Sequence, residues 1–90
     1  MKPNPDKIDE AALAMLFLTS HRSGKDVPWR AWKGLDWDVL GRLHAKGFIS
    51  DPVGKAKSAG FSDDGYAEAE AAFRRLCCGE AGDHARKEEA

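Results

Sequence analysis

The stretch LGRLHAKGFI, residues 40–49, decides the predicted fold. Its two leucines lie three residues apart, as on one face of a helix, and the helix is predicted over Trp37–Lys46. Asp36 is a good N-cap for this helix, and Gly47 suits the left-handed conformation that commonly ends one. Phe48–Ser50 follows at once and favours an extended conformation. A helix that turns sharply into a strand is therefore the centre of the prediction.

The residues after this strand predict a ribbon and a last helix. Asp51–Gly54 is typical of a turn, and Lys55–Phe61 is predicted as the returning strand. Ser62 is a good N-cap for the final helix, with two aspartates in its first turn, where the helix dipole favours anions. Gly79 is expected to end that helix.

The residues before the deciding stretch predict two more helices. The first is predicted over Lys7–Thr19, with Asp6 as its N-cap and acidic residues in its first turn. A short second helix is predicted to begin at Pro28 and to end at Gly34.

The run AALAMLFL at residues 11–18 leaves the first helix almost no polar face. A helix that is apolar nearly all round is buried on more than one side. In a chain of 90 residues this indicates a central core helix or a helix shared with a second subunit. We therefore expect a homodimer.

The order of these elements resembles that of a winged-helix domain. Residues 40–49 and the later FSDDG at 61–65 are similar to passages of bacterial winged-helix regulators. The resemblance implies an α+β fold, a small winged-helix-like domain with three to four helices and a two-stranded β-ribbon. This domain is expected over residues 6–78, between a disordered end at 1–5 and a flexible tail at 79–90.

A second resemblance covers about residues 6–76. The strings DKIDE at 6–10, RAWKGLDWD at 30–38 and GFISDP at 47–52 resemble a family of small bacterial proteins of unknown function. The Trp-Lys-Gly-x-Asp-Trp motif is the most specific part of this resemblance. It implies no activity, because the role of the family is itself unassigned. The chain departs from the pattern at Ala59-Gly60, where bulkier strand residues are expected.

Composition excludes several classes of protein. Hydrophobic residues make up 42% and charged residues 32%, which is an ordinary globular balance. The longest apolar run is far shorter than the roughly 20 residues that a membrane span needs. No secretory pattern precedes it, and two cysteines cannot form a disulfide framework. We expect a cytoplasmic protein with reduced thiols, no membrane contact and no cofactor.

Charge is concentrated in the middle of the chain, where residues 21–57 hold eight Lys or Arg against four Asp. In a winged helix that binds DNA, the helix before the ribbon enters the major groove. The candidate DNA-binding residues are Arg42, Lys46, Lys55, Lys57 and Lys33. Against this hypothesis, the sequence pI of about 6.3 is low for a DNA-binding domain.

A protein-interaction hypothesis rests on the aromatic residues. All three tryptophans lie within residues 29–37, and tryptophan is enriched at interface hot spots. The candidate interface residues are Trp29, Trp32 and Phe17, whereas Trp37 is expected to face inward with Leu40, Leu43 and His44.

Signals for catalysis are weak. The three histidines are far apart in sequence, and Cys77-Cys78 lacks a zinc-ligand spacing. The sequence therefore predicts a small cytosolic protein that is not an enzyme. It is interpreted as a winged-helix-like protein-interaction or regulatory module, with a weak or specific DNA-binding transcriptional regulator as the alternative.

Overall fold

The computed structural model describes residues 1–78. Within them the chain forms three helices and two strands in the order α1 (Pro5–Leu18), β1 (Arg30–Trp32), α2 (Trp37–Ala45), β2 (Ser58–Gly60) and α3 (Asp63–Cys77). The predicted mixed α+β class is thus confirmed, and the sheet has two strands as expected, but its first strand is Arg30–Trp32 and not the predicted Phe48–Ser50. The predicted tail and the helix end at Gly79 lie outside the described residues.

The first helix begins two residues earlier than predicted. Asn4, and not Asp6, is the N-cap: its side-chain oxygen accepts hydrogen bonds from the backbone N–H groups of Asp6 and Lys7 at 3.0 and 3.3 Å. Pro5 occupies the first helical turn, where its missing N–H costs nothing.

The short helix predicted from Pro28 to Gly34 is wrong, because the centre of that segment is β1. Arg30 and Ala31 of β1 pair antiparallel with Gly60 and Ala59 of β2. Tryptophans three residues apart share a side of a helix but lie on opposite sides of a strand. Trp29 consequently turns inward, whereas Trp32 is 57% exposed.

The returning strand predicted over Lys55–Phe61 is confirmed in part, as β2. Its main partner is β1, and the stretch after Gly47 contributes one bridge, between Ile49 and Phe61. In this bridge region the Ser50 N–H donates to the Gly60 carbonyl at 2.8 Å. Residues 58–61 therefore lie between β1 on one side and the stretch after Gly47 on the other.

The deciding stretch folds largely as predicted. Asp36 caps α2 by accepting from the backbone N–H of Asp38 at 3.1 Å, and Gly47 takes a positive φ of 80° after the helix ends. The expected inward position of Trp37 is wrong, since its side chain is 60% exposed. Val39 is buried together with the two leucines, which rotates the inward face of α2 away from Trp37.

The start of α3 is joined to the end of α2. Ser62 is the N-cap, as predicted: its hydroxyl accepts from the Gly65 N–H at 2.9 Å and donates to the Gly47 carbonyl at 2.6 Å. Gly65 lies against the backbone of Phe48, and a Cβ on it would be 1.9 Å from the Phe48 carbonyl oxygen. The two backbones can approach this closely only because position 65 has no side chain.

The core lies between α1, α2, α3 and the sheet. Leu40 and Leu43 of α2 are its most buried large apolar side chains. A second part of the core is aromatic, with ring centroids 5.1–5.6 Å apart, and consists of Phe17, Trp29, Phe61, Tyr66 and Phe73. Small side chains, such as Ala69 and Ala72 on α3, let the helices pack closely.

Candidate interaction surface

Two of the five candidate DNA-binding cations are held by a buried carboxylate. Asp9 on α1 is 2% exposed. Arg42 donates to both of its oxygens at 2.8–3.1 Å, and the Lys46 ammonium donates at 3.0 Å. The paired hydrogen bonds from Arg42 lower the pKa of Asp9 despite its burial, so the carboxylate is ionised. Arg42 and Lys46 thereby join α2 to α1.

The sequence predicts Asp9 only as one of the acidic residues in the first turn of α1, and this role is not found from it. A signal was present, because Asp9, Leu13 and Leu16 follow the i, i+4, i+7 spacing of one helix face. A carboxylate on an apolar face indicates a buried ion pair, although the spacing does not identify its partner.

The other three cations lie in or beside the segment between Ile49 and β2. The Lys33 ammonium donates to the carbonyl oxygens of Pro52 and Gly54 at 2.7 and 3.3 Å, which fixes the turn. Lys55 and Lys57 are exposed on that segment. Lys33 and Lys57 thus lie together at one end of the two strands, where the Lys33 N–H donates to the Lys57 carbonyl at 3.0 Å, and Lys55 lies two residues before Lys57 in the chain.

The three candidate interface residues have different surroundings. Trp29 stacks on Tyr66 at 5.1 Å, and the Arg22 guanidinium covers its ring at 4.7 Å. Phe17 packs between Tyr66 and Phe73. Both are partly buried members of the aromatic core. Trp32, in contrast, presents more than half of its surface to solvent.

The solvent side of α1 carries a row of apolar side chains from Ile8 to its last residue, Leu18. Ile8, Met15 and Leu18 are 40%, 43% and 59% exposed, and the small side chain of Ala11 lies between them. This arrangement accounts for the nearly all-apolar sequence of the helix: one side packs into the core and the other side meets solvent. A contiguous apolar patch of this kind on an exposed helix face marks a candidate interaction site.

Trp32 extends this face across the molecule. A groove of about 200 Å³ separates its ring from α1 and is lined by Met15, Leu16, Thr19, Trp32, Gly34 and Leu35. On the other side of Trp32, a cleft of about 390 Å³ leads to Trp37 and is bordered by Lys33 and Lys57. We name Ile8, Ala11, Met15, Leu18 and Trp32 together the α1–Trp32 surface.

Features of catalytic or metal sites are sparse in the part of the chain that the structure describes. No group of three or more His, Cys, Asp or Glu within residues 1–78 could hold a metal ion. The His44 ring contacts the Ile49 carbonyl at 3.0 Å, and Cys77 and Cys78 are exposed free thiols. None of the helices in this range is long and apolar enough to cross a membrane.

The fold and this surface define a small α+β domain with an exposed apolar helix face. The family model described as "Domain of unknown function (DUF6429)" matches residues 4–79, and the chain belongs to this family. The chain is 47% identical over 76 residues to "Uncharacterized protein y4hR" of Sinorhizobium fredii (strain NBRC 101917 / NGR234), covering 84% of this chain and 96% of that protein. No solved structure matches the chain. The predicted membership in a small bacterial family of unknown function is thus confirmed.

Proposed function

We propose that this protein is a non-enzymatic protein-interaction or regulatory module of the cytosol that binds partners through the α1–Trp32 surface. The observation that carries the proposal is the unbroken row of exposed apolar side chains on α1, extended by an exposed tryptophan. Covering such a surface is favourable by the hydrophobic effect, and a tryptophan within it supplies the large contact area typical of an interface hot spot.

Photocrosslinking tests this proposal. A photoreactive p-benzoylphenylalanine in place of Trp32 is expected to form protein–protein crosslinks in cells, since position 32 would lie against a partner. The matched control carries the same group in place of Val53, which is 76% exposed but outside the surface. Crosslinks at position 32 to this chain or to a reproducible second protein, with few at position 53, support the proposal. Equal yields at both positions, or none at 32, would contradict it.

A second candidate function is DNA binding by a winged-helix-like domain. Its support is the position of Lys33 and Lys57 together at one end of the sheet, with Lys55 two residues away in the chain, and a helix that turns at Gly47 into the strand region. Phosphate contacts by such cations would give weak, salt-dependent binding. The pairing of Arg42 and Lys46 with Asp9 limits how many cations this arrangement can offer.

A salt titration of binding to mixed duplex DNA tests the second candidate. The logarithm of the binding constant falls as the logarithm of the salt concentration rises. If Lys55 and Lys57 contact phosphates, replacing both with alanine should make this slope less steep by about 2. The matched control replaces Lys2 and Lys7, two exposed cations near the N-terminus, and should leave the slope unchanged. Absence of binding by the wild-type protein at about 50 mM salt would exclude this function.

A further inference from the structure

We propose that the partner of the α1–Trp32 surface is a second copy of this chain, with the two α1 helices packed antiparallel. In this pairing Ala11 contacts Met15 of the second copy, and Ile8 contacts its Leu18. The inference rests on the proposed function and makes it specific, since it names both the occupant of the surface and the register of the contact.

The spacing of the exposed residues supports a helix as the occupant. Ile8, Ala11, Met15 and Leu18 are separated by three, four and three residues, which places them in one narrow stripe along α1. This is the a/d spacing by which two helices pack side by side. Ala12 and Ala14, which border the stripe, are buried within the protein's own core. The stripe is therefore the part of α1 left without a partner among the described residues.

The symmetry of the stripe supports a second copy. The outer pair, Ile8 and Leu18, and the inner pair, Ala11 and Met15, are both centred on position 13 of the sequence. A twofold axis at that level therefore brings each large exposed side chain opposite another member of the same set, as an isologous interface requires. Ala11 leaves a hollow between Ile8 and Met15, and the opposing Met15 has the size to fill it.

Charge also favours self-pairing. The stripe contains no charged residue, and the charged residue at its edge, Lys7, would lie opposite Thr19 of the second copy. Pairing two identical faces thus brings no like charges together. The antiparallel direction also opposes the two helix dipoles.

The area is sufficient for a weak to moderate dimer. Complete covering of the exposed fractions of Ile8, Met15, Leu18 and Trp32 in both copies removes on the order of 1,000 Å² from water, which is where specific interfaces begin. Trp32 contributes to this area because its groove opens directly beside Met15.

Sedimentation equilibrium of the full chain tests the inference. At about 100 μM the wild-type protein should be dimeric, because interfaces of this size support micromolar affinity. Met15→Glu and Leu18→Lys should each be monomeric, with unchanged circular dichroism, because both side chains are solvent-exposed in the single chain. Val53→Glu is the matched control and should remain dimeric. A wild-type monomer, or a dimer that survives both surface variants, would overturn the inference.

Disulfide trapping tests the register. In a Cys77→Ser, Cys78→Ser background, the Ala11→Cys, Met15→Cys double variant should form a covalent dimer under mild oxidation, whereas Ala11→Cys alone should not. A covalent dimer of Ala11→Cys alone would place the two copies of residue 11 against each other, as in a parallel pairing, and would contradict the proposed geometry. A monomeric wild type that still crosslinks at position 32 to another protein would refute self-pairing while leaving the proposed function intact. Absence of crosslinks at that position would refute both.

Discussion

Gly65→Ala is expected to destabilise the protein by about 3–5 kcal/mol, enough to unfold much of a domain this small. An alanine Cβ would lie 1.9 Å from the carbonyl oxygen of Phe48 and 2.6 Å from its carbonyl carbon. Those atoms are backbone, so relief requires α3 to move away from the strand region. The free energy of unfolding in urea, compared with that of the wild type, measures the effect.

Gly41→Ala is the matched control for this substitution. Gly41 also lies within a helix, but a Cβ on it would meet nothing within 4 Å. The higher helix propensity of alanine should therefore stabilise the protein by about 0.5–1 kcal/mol. If the two alanine variants had similar stabilities, the close approach of α3 to Phe48 would be refuted.

Asp9→Ala is expected to cost about 2–3 kcal/mol of unfolding free energy. The substitution removes a buried carboxylate and leaves Arg42 and Lys46 without their shared partner. Loss of one member of a fully buried pair costs more, but these two cations are 37% and 39% exposed and keep contact with water. Asp6→Asn, at a 91% exposed carboxylate that lies 3.7 Å from Lys46, should change stability little. Equal losses in both variants would contradict the assigned role of Asp9.

The contribution of Asp9 to the free energy of unfolding should decrease at acidic pH. Because the folded-state pKa lies below the ordinary 3.8, the folded protein binds this proton less readily than the unfolded chain does. The stabilisation is therefore present above pH 3.8 and is lost as pH falls through the lowered folded-state pKa. The difference in unfolding free energy between the wild type and Asp9→Asn should therefore become smaller as the pH falls below 3.8. A difference that widened would contradict the lowered pKa.

The helix boundaries that could be predicted are those set by local chemistry. The capping interactions of Asp36, Gly47 and Ser62 lie within three or four residues of each one, so the surrounding sequence is enough to predict them. The strand β1 could not be predicted in this way. Two tryptophans three residues apart are as compatible with a helix as with a strand. The segment is a strand because it pairs with Ala59, which is distant in the sequence.

The candidate site was predicted in part. Trp32 could be found because tryptophan is rare and favours interfaces, and the apolar α1 helix indicated a shared face. Which residues of α1 form that face could not be predicted from a sequence that is apolar nearly all round. Packing against α3 decides which face of α1 stays exposed, because Phe73 and neighbouring small residues of α3 cover the opposite face of α1.

The packing of α1 mainly against α3 has a consequence for how the chain acquires its structure. The pairing joins the first and last elements of the described chain, and the ion pair between Arg75 and Glu10 connects residues 65 apart in sequence. During synthesis the apolar side chains of α1 consequently emerge well before the segment that shields half of them. A nascent chain at this stage exposes both sides of α1 at once, and the dependence on contacts distant in sequence favours slow, late completion of the native state.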